Sequence, residues 1–214
     1  MEIVKFLTCC QKKYKEVNNT GLNDDFMKQV FKDHPSHRRL YDVAVKVIAV
    51  AQVYKATVYD HSKMAHHICR LKNLKSMISD GEGAAVEAVR FGHGIIWEKS
   101  RKEIDFYSFS TKYCHWSNPN RYPMYDQYVQ RAVREIRERT SYDFAKGDFF
   151  KDYIAFRGQL DMLKFIIISP FYRKSSWGYG YKELDEALWV YGRYLKGNLP
   201  VKIQNELQGL YQKL

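Results

Sequence analysis

Apolar residues in this chain return every three or four positions and almost never on alternate ones, and that period most constrains what it can fold into. Val43, Val47, Val50, Ala51 and Tyr54 fall at helical spacing, as do Met64, Ile68 and Leu71, with Ile78 following. Helices are predicted over 3–17, 38–57, 62–79, 84–97, 104–116, 125–140, 149–168, 181–196 and 200–213. Segments such as Asp80-Gly81-Glu82-Gly83 and Ser175-Ser176-Trp177-Gly178 separate them. No alternation lasts long enough to read as a strand. The expected class is therefore mainly α. No repeat or Gly/Ser linker marks a boundary, so residues 1–214 read as one compact domain or two tightly fused lobes.

Composition narrows the function classes. With 45% hydrophobic residues the chain is not a disordered tail. The longest apolar runs, near Val47–Tyr54 and Phe165–Ile168, are too short to span a bilayer. The opening MEIVKFLTCCQKKYKE has no small-residue cleavage site, so a cytoplasmic protein is expected. Cys9, Cys10, Cys69 and Cys114 form no C-x-x-C pair. His66 and His67 point to different faces of one helix, and Gly92-His93-Gly94 lacks the setting of a phosphate loop. No metal and no cofactor are expected. The net charge of +11 points to a polyanion, nucleic acid being the commonest, or else to a solvated basic surface with no such partner.

Pro119 and Pro123 bracket the segment 117–124, which reads as a rigid turn feeding a helix that begins near Tyr125 or Asp126. An acid in that first turn meets free N–H groups and the positive end of the helix dipole. Around the turn, eight aromatics fall within the 23 residues from Phe106 to Tyr128, about twice the chain average. Lys112, His115, Asn118, Arg121 and Asp126 are interleaved with them. Such a mixture stacks bases while contacting phosphates; the alternative is a helical corner whose aromatics fill a core.

The string Tyr122-Pro123-Met124-Tyr125-Asp126-Gln127-Tyr128-Val129-Gln130-Arg131-Ala132-Val133 resembles the catalytic-helix entry of the helix-hairpin-helix DNA glycosylase superfamily. In that family a proline and an apolar residue precede an Asp that opens a helix. The resemblance puts Asp126 on the catalytic aspartate, Val129 on the inward apolar residue and Arg131 on the basic one. Lys112 stands where bifunctional members place a Schiff-base lysine, at a shorter separation than usual; its other reading is a phosphate-binding or solvated lysine. No glycine occurs between Gly94 and Gly147, so the family's Gly-containing hairpin is missing, and its phosphate contact would pass to Lys112 and the Asn118-Pro119-Asn120 turn. The strings Phe109-Ser110-Thr111-Lys112 and Leu184-Asp185-Glu186-Ala187-Leu188-Trp189-Val190-Tyr191-Gly192 are similar to those of uncharacterised bacterial relatives, some resembling anti-phage enzymes acting on modified DNA.

What this resemblance implies is a two-lobed glycosylase-like fold with a central cleft, Asp126 at its base, and a catalytic segment over 104–140. Asp126 would stabilise the oxocarbenium character at C1′ and orient water. Base flipping would bring the target out, with Trp116, Tyr122 and Tyr125 as candidates for base or sugar contact, and Trp189 and Asp185 lining the pocket. Arg131, Arg134 and Arg137, with Asn118, would hold the DNA backbone; the alternative for the arginines is an exposed helix braced by pairs such as Arg134 with Glu138. The expected activity is monofunctional base excision from DNA by a monomer, in repair or antiviral defence. A non-enzymatic DNA-binding module or sensor of altered DNA is the rival. The aromatic loop Trp177-Gly178-Tyr179-Gly180-Tyr181 either contacts DNA or seals a core.

Overall fold

The structure, a computed structural model, describes residues 2–18, 22–91, 96–97, 102–140, 151–168 and 180–214. Among them are the helices α1 (Glu2–Val17), α2 (Leu22–Asp33), α3 (Leu40–Tyr54), α4 (His61–Arg70), α5 (Leu74–Asp80) and α6 (Ala84–Arg90). Two short strands follow, β1 (Ile96–Trp97) and β2 (Lys102–Glu103). Then come α7 (Tyr107–Ser117), α8 (Gln127–Arg139), α9 (Tyr153–Ile168), α10 (Lys182–Leu195) and α11 (Val201–Tyr211). The chain is mainly α. Among the described residues no helix is long and apolar enough to cross a membrane, and no group of three His, Cys, Asp or Glu side chains is placed to hold a metal ion.

Four features depart from the sequence reading. α2 was not expected, because Met27 and Val30 give it a narrow buried seam while Phe26 is half exposed. The helix expected over 62–79 breaks in two: Leu71 turns extended and Asn73 takes a left-handed φ of 62°, which asparagine tolerates better than most residues. The helix expected over 84–97 stops at Arg90, whose side chain grips Asp105 at 2.7 Å through both Nε and Nη2. Beyond it Ile96 pairs with Glu103 and Trp97 with Lys102, a ladder too short to leave an alternating pattern. α9 begins at Tyr153 rather than 149 because Asp152 accepts from the N–H groups of Ile154 and Ala155. The Gly92-His93-Gly94 segment and Trp177–Tyr179 of the aromatic loop lie outside the described residues.

Contacts divide the chain into two compact units: unit 1, Met1–Gly21 with Pro123–Leu214, and unit 2, Leu22–Tyr122. In unit 2, α3 packs against α2, α4 and α7 around Val43, Val47 and Val50. Tyr113 of α7 is fully buried, edge-on to Phe31, with His37 Nδ1 3.0 Å from its hydroxyl. Lys46, 1% exposed, donates to the Ser36 carbonyl at 2.8 Å and lies over the Phe31 and Tyr113 rings.

In unit 1, α10 packs against α1 and α8, and α1 also meets α11. Phe6 of α1 sits edge-on to Tyr191, centroids 4.7 Å apart, with Tyr194 and Tyr211 around it. The crossing of α8 and α10 is a backbone contact: a Cβ on Gly192 would lie 2.1 Å from the Tyr128 carbonyl oxygen. Only glycine allows that approach.

Candidate active site

Asp126 caps α8. Its backbone is extended, and its Oδ1 accepts from the N–H groups of both Tyr128 and Val129 at 2.8 Å. This is the local consequence of an Asp placed just ahead of the apolar run Val129, Ala132, Val133 and Ile136, which α8 buries. Among the described residues neither bond uses Oδ2, and the side chain is half-buried. The Pro123–Tyr125 lead-in is pinned from α10, where Asp185 Oδ2 accepts from the Met124 N–H at 3.1 Å. On the far side of Asp126, Gln127 accepts from Lys196.

Asp185 is a carboxyl only 2% exposed. Burial pushes its pKa well above the usual carboxylate range; the Met124 N–H and Lys182 work against that push, and the charge of Asp126 reinforces it. Asp185 and Gly192 are seven residues apart, two helical turns, so one face of α10 meets Met124 with the first and Tyr128 with the second. Unit 1 thus joins two carboxyl groups around one short turn, one buried with its pKa pushed up and one accepting two backbone N–H bonds.

Tyr125 is half-buried, edge-on to Phe156, with its hydroxyl donating to Gln130 at 3.2 Å. Trp189 is half-buried and edge-on to both Tyr14 and Tyr128. Arg131 and Arg134 are exposed on α8 and Arg137 is half-buried. On this helix an ion pair joins Arg139 to Glu135, which also accepts from Tyr211 at 2.6 Å.

The remaining predicted residues belong to unit 2. Lys112 is 3% exposed, and its Nζ donates to Ser108 Oγ at 2.7 Å, so it is neither solvated nor presented on the surface to a phosphate. Trp116 donates from Nε1 to the Tyr54 hydroxyl at 2.8 Å. Tyr122 is fully buried, with its hydroxyl 2.8 Å from the Met77 carbonyl oxygen and 2.9 Å from that of Glu82. Asn118 donates to the Ile78 carbonyl at 3.0 Å and the Ser79 carbonyl at 3.3 Å. Trp116, Tyr122 and Asn118 therefore tie α7 and the turn after it to Tyr54 and residues 77–82, while the Lys112 bond stays within α7. The role of Gly192 escaped the sequence reading, although an isolated glycine inside the apolar period of α10 was a signal of close packing.

The family model described as HI_0787_N, N-terminal domain, matches residues 3–121, which run from α1 through α7. An uncharacterized protein of Haemophilus influenzae is 30% identical over 142 residues, 66% of this chain and 61% of that protein. The chain thus spans less than two thirds of the length of this relative. No solved structure matches it. With more than half of its length matched, the chain belongs to the HI_0787_N family.

Proposed function

We propose that the protein is a DNA glycosylase that hydrolyses the N-glycosidic bond of a modified or damaged base and leaves an abasic site. The observation that carries this reading is the pair Asp126 and Asp185, joined through one short turn: Asp126 is fixed by two backbone N–H groups, and Asp185 is buried with its pKa pushed up. A buried acid next to a second, backbone-bonded carboxyl is an arrangement suited to acid–base sites, because two like charges side by side do not both ionise readily.

In this mechanism the target base leaves the stack, at a cost of a few kcal/mol, so that C1′ reaches Asp126. The carboxylate opposes the positive charge growing on the sugar and orients the water that attacks C1′. Its bonds to Tyr128 and Val129 fix it before the reaction, so little reorganisation is left for the transition state. Asp185 acts on Asp126 through the Met124 N–H and is a positioning residue. The burial of Lys112 and its bond to Ser108 favour attack by water over a lysine Schiff base. The net charge of +11 suits a DNA substrate, and phage DNA carrying modified bases is one source of it.

The test is to incubate the pure protein with damaged-base oligonucleotides and modified phage DNA, and to identify released bases by mass spectrometry. Base release from at least one substrate, lost in Asp126→Asn, is the expected result. Salt-dependent binding with no base released, or equal release by Asp126→Asn, overturns the proposal, and the first of these outcomes leaves a DNA-binding module or sensor of altered DNA in its place.

A further inference from the structure

Lys182, Glu186, Trp189, Arg193 and Lys196 follow one another at intervals of four, three, four and three residues, so they run in a line along α10 and its C-terminal cap. At 1.5 Å per residue the line is about 21 Å long. Its three cations rest on aromatic rings. Lys182 lies 5.2 Å from the ring centroid of Tyr14, Arg193 4.8 Å from that of Trp189, and Lys196 5.3 Å from that of Tyr128. Trp189 is itself held edge-on to Tyr14 at 5.6 Å and to Tyr128 at 6.1 Å. The rings come from α1, α8 and α10, all within unit 1.

We infer that this row binds the phosphodiester backbone of a single DNA strand. Arg193 donates from Nε and Nη2 to the Asn198 carbonyl, which fixes the guanidinium over the Trp189 ring. Among the described residues its Nη1 donors serve no such bond, and Lys196 spends one of its three donors on Gln127. A cation already seated on a ring loses less freedom when a phosphate arrives than a lysine or arginine swinging in water. Glu186 is the one acid in the row. It accepts from Gln11 at 3.0 Å and lies 3.6 Å from Lys182, so it offsets the charge at that end. Arg193 and Lys196 therefore carry the principal contacts.

Trp189 follows Asp185 by one helical turn, and Tyr128 follows Asp126 by two residues. A strand on this face accordingly runs beside the carboxyl pair. The principal backbone contact shifts from Arg131, Arg134 and Arg137, whose three-residue spacing drifts around α8, to the straight row on α10. This inference rests on the nucleic-acid part of the proposed function and not on its chemistry.

Fluorescence anisotropy with a labelled twelve-nucleotide oligothymidylate between 50 and 200 mM NaCl tests it. The double variant Arg193→Gln with Lys196→Gln should bind at least ten-fold more weakly at the lower salt. Its log–log salt slope should be smaller by about 1.4, because each lost single-strand phosphate contact removes about 0.7. It should lose more than the triple variant Arg131→Gln, Arg134→Gln, Arg137→Gln. Because Arg193 also ties down the end of α10, Lys196→Gln alone should show about half the slope change with an unaltered melting curve. An unchanged slope in either α10 variant overturns the inference, as does a polyglutamate peptide that competes as well as unlabelled oligonucleotide. Oligonucleotide binding with no base released from any DNA would remove the glycosylase reading alone; base release by a native protein that does not bind the oligonucleotide would remove this inference alone.

Discussion

The two units bury ionisable groups in opposite ways. Unit 2 holds all seven histidines of the chain, and the lysines and arginine it buries find partners close by in sequence: Lys112 at Ser108, Lys46 at Ser36, Arg90 at Glu87 and Asp105. Unit 1 has no histidine and eleven of the seventeen tyrosines, and its buried carboxyl, Asp185, takes the N–H of Met124, 61 residues away. Short-range partners satisfy a charge where the local chain puts it, which is how a scaffold is built. A partner 61 residues off, two positions ahead of an Asp that caps a helix, fixes one segment to another and sets a carboxylate in place. The family domain, residues 3–121, stops five residues short of that Asp.

The largest effect expected from this contrast is on turnover. Asp126→Asn should lower base release by about 10²–10³, the range for losing one well-placed electrostatic group, while the melting curve stays close to native because asparagine also caps helices well. A melting temperature that falls as steeply as activity would make Asp126 a cap and nothing more. Borohydride should trap no protein–DNA adduct. An adduct that disappears in Lys112→Ala would move the chemistry into unit 2.

Gly192→Ala comes next. The new Cβ would meet the Tyr128 backbone at 2.1 Å, so α8 and α10 must part. Overpacking of that kind costs about 1–3 kcal/mol, readable by urea unfolding. Base release should fall with it, since Tyr128 supplies one of the two N–H groups on Asp126. Intact activity in a destabilised Gly192→Ala protein would separate the crossing from the site.

The units should also answer pH with opposite signs. Burial first, then the charges of Lys46 and Lys75, lowers the pKa of His37 to about 4. Below pH 6.5 the unfolded chain therefore takes up a proton that the folded one refuses, and unit 2 weakens as pH falls toward 4, by up to about 1.4 kcal/mol per unit. Asp185 is raised instead: above pH 3.8 the folded carboxyl keeps a proton that the unfolded one releases, so its contribution declines as pH rises. Hydrogen exchange between pH 4 and 6.5, corrected for intrinsic rates, should show protection growing with pH in α3 and α7, and declining in α10 as pH rises above 3.8. Parallel trends in the two units would break the contrast.

How much of this was legible follows from distance along the chain. The entry to α8 was, since proline, an aspartate and an apolar period within a dozen residues dictate a capped amphipathic helix. So was most of the buried face of α10, where Leu184, Leu188, Tyr191 and Leu195 repeat at helical spacing and the first three are buried while Leu195 is half-buried. The break at Asn73 was not, because a single left-handed residue leaves the surrounding period intact. Nor was the pinning of Met124 by Asp185 or the joining of α1 to residues 123–214, which depend on segments far apart in sequence. The aromatic density of 106–128 divides: Phe106, Tyr107, Phe109, Tyr113, Trp116 and Tyr122 are buried in unit 2 and fill its core, while Tyr125 and Tyr128 lie half-buried with Asp126 in unit 1.

That last division yields the smallest effect. Tyr122→Phe removes the hydroxyl that holds the Met77 and Glu82 carbonyls and keeps the ring that fills the core. One net hydrogen bond is worth about 1 kcal/mol, so urea unfolding should shift by that amount. The ratio of kcat to KM should hold within two-fold, because a side chain with no exposed surface braces the 77–82 turn and does not touch a base. A KM raised ten-fold with stability unchanged would return Tyr122 to the substrate. It would also make the contrast between a scaffold in unit 2 and chemistry in unit 1 too sharp, since the residue just before the boundary would then serve both.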